Sequence, residues 1–203
     1  MQTNSGNPAV IGLAGFGITT FVLQIHNIGI LESMGPILWL GVFVGGLAQL
    51  VAGFQVRSTG NNFAYSAFTI YGAFWLAFCG ILIGNELGFY VASKAEIAWF
   101  LLPFTIYTGI MLYGAMHIHT AETVVFGTLF LGFLFLVIGH AFIPVFDVIA
   151  GYVLIVCSFS AWYVMASIIY KQVCGREVLP TGKPLLHKGP KVEAFDAMAV
   201  AAE

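Results

Sequence analysis

Residues Pro8 to Ile30 read PAVIGLAGFGITTFVLQIHNIGI, without one Asp, Glu, Lys or Arg. A helix needs about 20 apolar residues to cross the hydrocarbon of a bilayer, and a barrel strand would alternate over about ten. The stretch therefore reads as a membrane-spanning helix. Five more uncharged stretches follow: Pro36 to Val56, Phe63 to Asn85, Ile97 to Met116, Thr123 to Gly139 and Val148 to Tyr170. The expected fold is an all-α membrane protein, a bundle of six transmembrane helices around a pathway. Composition agrees: of 203 residues 60% are hydrophobic and 8% charged, against about 25% charged in soluble domains. With a net charge of -2 no basic face is available, and nucleic acid is excluded as a partner; membrane lipid takes its place.

The charges set the expected topology. Six helices place both termini on one side, together with Arg57, Lys171, Arg176, Lys183, Lys188 and Lys191, while the other side holds Lys94. That bias predicts cytoplasmic termini. The chain divides into an N-terminus at 1–7, a six-helix domain at 8–171 and a cytoplasmic tail at 172–203, expected to lie across the helix ends and to be disordered from about 188. The opening MQTNSGN lacks a basic region and a cleavage site, so the first helix is expected to be retained.

No charged side chain falls inside any of these stretches, so the expected route has no mid-membrane carboxylate or cation for ion coupling. His26 sits within a span, and His117, His119 and His140 at helix ends; all four read as hydrogen-bonded or interfacial, and no metal site is assigned. Cys79, Cys157 and Cys174 show no ligand spacing. Gly15-Phe16-Gly17 falls short of a dinucleotide motif, and Ser158, Ser160 and Ser167 have no paired base in the membrane. The sequence thus argues against an enzyme and calls for no cofactor. What remains is uncharged polarity. Phe16, Thr20, Leu23 and Asn27 share one stripe of the first helix, Gln49 is the strongly polar residue of the second, and Tyr71 with Trp75 lies too deep for the interfacial belt. Asn7 followed by Pro8 is a helix start whose amides favour an anion. Gly41 with Gly45 and Gly80 with Gly84 have the spacing of close helix contacts.

Several motifs in order carry a resemblance. Residues 7–20, NPAVIGLAGFGITT, resemble the NPAPLGLxGFGxTT signature of the acetate uptake transporter family (GPR/FUN/YaaH type), the succinate-acetate permeases, with Val10 in place of proline. His26-Asn27, the run GGLAQ at 45–49, AFTIYGAFW at 67–75 and GREVLPTG at 175–182 extend it to about residues 7–182. The resemblance implies a homohexamer in a prokaryotic inner membrane whose protomers each conduct acetate, and in some members succinate or other small carboxylates. It also implies a hydrophobic constriction of Phe16, Tyr71 and a leucine of the fifth helix, Leu129 with Leu131 as the fallback. Asn7, Thr20, Asn27, Gln49 and Trp75 are the expected substrate contacts. Neutral donors on either side of an apolar neck suit weak, multiple anion sites and hence a channel-like route. A proton-coupled symporter is the alternative, and a membrane sensor or scaffold the reading from another class.

Overall fold

Hydrocarbon offers the backbone no hydrogen-bond partner, so each crossing segment must satisfy its own amides and carbonyls as a helix. The computed structural model describes residues 6–187. It contains six helices long and apolar enough to span a membrane: α1 Pro8–Asn27, α2 Gly35–Arg57, α3 Asn62–Glu86, α4 Lys94–Ala115, α5 Thr120–Ala141 and α6 Val145–Cys174. At about 1.5 Å per residue even α1 reaches the ~30 Å of a bilayer core. The chain is an all-α integral membrane protein. The N-terminal five residues and the tail expected to be disordered from 188 lie outside the described residues.

Local signals fix the ends. Asn7 accepts from the Ala9 amide at 3.0 Å, with Pro8 in the first turn of α1. Asn61 caps α3 through the Ala64 amide, and Ser93 with Glu96 forms a capping box on α4. Gly175, at φ 67°, ends α6 in the left-handed region that glycine enters without penalty.

Each helix packs on the next in sequence, and α6 closes the ring against α1. The α1–α2 and α2–α3 seams are tight. A Cβ on Gly15 would lie 2.5 Å from the Val44 carbonyl oxygen, one on Gly45 2.7 Å from Thr19 Oγ1, and one on Gly72 2.8 Å from the Leu50 amide. Small residues at these points let backbones touch, which is the main source of helix attraction in lipid. The interior of α2, Gly41–Ala48, widens into π-helical turns, and Thr19 donates to the Leu40 carbonyl at its start. Around Gly80, by contrast, no described residue lies within 4 Å of an added Cβ. The α3–α4 seam is filled by rings: Phe74 sits 4.9 Å from Phe104 and 5.6 Å from Phe100 between centroids.

After α6 the chain turns back as an extended strap. Pro180 accepts from Tyr163 Oη at 2.8 Å, Thr181 from the Ala121 amide at 2.9 Å and Lys183 from Thr120 Oγ1 at 2.7 Å, while the Leu185 and Leu186 amides donate to the Met116 carbonyl. The strap thereby holds the first turn of α5.

Candidate functional site

A vestibule of about 950 Å³ opens at the end of the ring where α1 begins. Its wall includes Asn7 of α1, Gln55 of α2, Asn61 before α3, His119 and Glu122 at the start of α5, and Ser167 of α6. Below it lies a cavity of about 40 Å³ bordered by Leu13, Phe16, Gln49, Tyr71, Glu122 and Leu129. Beyond that is a second of about 30 Å³, bordered by Phe16, Thr20, Gln24, Tyr71, Trp75 and Leu129. Each has room for about two or three waters.

Phe16, Tyr71 and Leu129 border both small cavities. The expected constriction residues therefore meet at one level, between the two spaces. Phe16 and Tyr71 lie 6.2 Å apart between centroids, tilted by 52°, and Phe126 and Phe133 flank Tyr71 at 6.3 and 6.5 Å. Helix phase selects the leucine: Leu129 is 3% exposed and faces inward, whereas Leu131 is 43% exposed and faces outward.

The Tyr71 hydroxyl is already engaged. It lies 2.8 Å from Thr108 Oγ1, and Thr108 donates its one proton to the Phe104 carbonyl at 2.6 Å. Tyr71 must then be the donor to Thr108. Its phenol is tied to the α4 wall, and the ring is what borders the cavities.

Of the expected substrate contacts, Asn7 borders the vestibule, Gln49 the upper cavity, and Thr20 and Trp75 the lower. The Gln49 side-chain oxygen is buried without a hydrogen-bond partner, an exception for a buried polar atom. Asn27 borders none of the three spaces. At the last turn of α1 its amide turns sideways to donate to Gln24 Oε1 at 2.8 Å, and Gln24 holds the wall position instead. His26 Nδ1 contacts the Leu31 carbonyl at 2.7 Å, and the His117 ring packs against Tyr113 at 5.1 Å.

The expectation that all charges fall outside the spans needs correction, because the helices run past the uncharged stretches and take Arg57, Glu86, Lys94, Glu96, Glu122, Asp147 and Lys171 into their end turns. α5 begins at Thr120 and α6 at Val145, each three residues before the uncharged stretches at Thr123 and Val148. Glu122 and Asp147 thus occupy first helical turns. Asp147 pairs with His140, Oδ1 to Nδ1 2.8 Å, and joins the end of α5 to the start of α6. Glu122 borders both the vestibule and the upper cavity. Its amide donates to His119 Nδ1 at 3.0 Å, so histidine acts as the cap of α5. The cap places the proton of the neutral imidazole on Nε2, 3.8 Å from Glu122 Oε2. Burial pushes the His119 imidazole below its ordinary value and keeps the ring neutral.

The sequence profile of the GPR1/FUN34/yaaH family matches residues 1–176. The chain belongs to this family. It is 37% identical over 184 residues to the succinate-acetate/proton symporter SatP of Escherichia coli K12, covering 90% of this chain and 98% of that one. Acetate permease A of Emericella nidulans is 33% identical over 179 residues, covering 77% of this chain and 59% of the permease. The fold superposes on the structure of the bacterial acetate channel SatP with a TM-score of 0.85 at 35% identity, covering 88% of this chain and all of that one. These relatives of the GPR1/FUN34/yaaH chain are named as transporters, permeases or channels.

Proposed function

We propose that this protein conducts acetate and other small carboxylates across a prokaryotic inner membrane by a channel-like route within each protomer. The observation that carries this reading is the meeting of two small cavities at Phe16, Tyr71 and Leu129. An apolar neck charges a strongly hydrated inorganic ion the cost of dehydration, whereas acetate offers it a methyl group. On either side Gln49, Thr20 and Gln24 supply neutral polar groups that hold an anion weakly and let it leave. The names of the family members support the substrate class.

Both termini and the vestibule are assigned to the cytoplasm on the excess of Lys and Arg at that end. A homohexamer in contact with lipid is the proposed assembly. The outer faces of α2 and α4 expose Trp39, Phe43, Trp99 and Ile110, a surface suited to acyl chains or to a neighbouring copy. Proton-coupled symport is the second reading, carried by the titratable pair His119 and Glu122 at the vestibule and by the name of the E. coli relative. Stopped-flow uptake into proteoliposomes over acetate, succinate, formate, lactate and chloride, at zero proton gradient with the potential clamped, tests the proposal. Acetate entry well above that of empty vesicles is expected. Entry that requires a proton gradient would replace the channel by the symporter. No entry under either condition would leave a scaffold.

A further inference from the structure

Glu122 is a carboxylate on the route of carboxylates. It borders the vestibule and the cavity above the neck, with its side chain 15% exposed. Among the described residues, neither space has a Lys or Arg in its wall. From α1, α2, α3 and α6 the facing side chains are uncharged: Asn7, Gln49 and Gln55, Tyr71, and Ser167. His119 and Tyr71 are the other titratable groups on these walls. Tyr71 is a neutral donor to Thr108, and His119 is held neutral by burial. The carboxylate sits in the first turn of α5, where the free amides of the helix end favour a negative charge. The helix end favours the ionised form, burial of the side chain works against it, and among the described residues no Lys or Arg stands beside it.

We propose that Glu122 determines substrate specificity by valence: in its ionised form it places a negative charge at the floor of the vestibule that passes monocarboxylates and turns back dicarboxylates. The inference rests on the conduction reading above. A dianion meets twice the repulsion of a monoanion at every point of the approach. At an effective dielectric constant of about 20 and a separation of about 8 to 10 Å, the second charge alone makes discrimination of roughly tenfold or more. The strap assists by holding the turn that carries Glu122, through Thr181 to the Ala121 amide and Lys183 to Thr120.

The test is the ratio of succinate to acetate flux in proteoliposomes at pH 8.5, where succinate is a dianion, acetate a monoanion and the buried Glu122 carboxyl ionised. Glu122→Gln should raise that ratio about tenfold, while Glu122→Asp, which keeps the charge, should stay within about twofold of the parent. A ratio unchanged in Glu122→Gln with acetate flux retained overturns the inference. Salt supplies a second readout on the parent alone, because the screening length shrinks from about 30 Å at 0.01 M to about 3 Å at 1 M. The parent ratio should climb with inert salt, and a ratio flat in salt overturns the inference even where the variant does not fold. Absence of acetate flux in the parent would instead overturn the conduction reading.

Discussion

Replacing Tyr71 by Phe removes one oxygen at the neck and leaves the ring. In the structure that oxygen donates to Thr108 at 2.8 Å, while Thr108 keeps its own donor bond to the Phe104 carbonyl. The substitution therefore orphans no donor. It should cost about 0.5–1.5 kcal/mol, the net worth of one hydrogen bond. Because the hydroxyl is turned to the wall, acetate flux in proteoliposomes should stay within about threefold of the parent, less than 1 kcal/mol in a barrier. Tyr71→Ala differs in kind. It removes the ring that packs against Phe16, Tyr107 and Phe133, should cost about 3–5 kcal/mol of stability, and should let chloride through the widened neck. Thermal unfolding in detergent and paired acetate and chloride fluxes read both effects. A loss of acetate flux beyond tenfold in Tyr71→Phe, with the fold intact, would refute the reasoning, since the hydroxyl would then be a contact of the anion rather than a tether of the ring.

Other outcomes follow from the same geometry. Gln49→Leu removes a buried oxygen that has no partner; melting should stay level or rise by about 1 kcal/mol of stability while acetate flux falls several-fold. Gly15→Ala drives a methyl into the Val44 carbonyl and should cost about 1–3 kcal/mol by overpacking. Gly127→Ala, whose Cβ meets only Leu112 at 3.8 Å, should be neutral or slightly stabilising in the same unfolding assay. His119→Ala deletes the cap of α5 and should cost about 0.5–2 kcal/mol. His119 also carries a pH signature. Burial lowers its folded pKa, so the unfolded chain binds the proton more readily, and the contribution of His119 to stability should fall as pH drops below about 6.5. His119→Asn should keep the cap and flatten that slope.

How far the sequence could be read depended on which force decided each feature. The six spans were legible because hydrocarbon tolerates neither charge nor an open backbone, and both constraints act over twenty residues at a time. Phe16 and Tyr71 were legible through motifs. Leu129 needed helix phase, which places it inside and Leu131 outside. Asn27 was expected from the stripe through Phe16, Thr20 and Leu23, but Gln24, next to Leu23 and one turn before Asn27, shares the inward face of α1. At the end of α1 Gln24 took the wall and Asn27 became its hydrogen-bond donor. Glu122 was missed for a different reason. The start of α5 was read from the last charge instead of from a cap, and the cap is a histidine, outside the Ser, Thr, Asp and Asn set that marks helix starts. The engagement of the Tyr71 hydroxyl with Thr108, across 37 residues, left no trace in local pattern.

The central claim is that acetate crosses as an anion through the neck of a single protomer. A planar-bilayer recording with a tenfold acetate gradient and equal pH on both sides tests it most directly. Conduction predicts a current that reverses near the acetate equilibrium potential, about 59 mV for a monovalent ion, and that loses its preference over chloride in Phe16→Ala. An electroneutral exchange, with acetate moving into vesicles but no current at any potential, would contradict it.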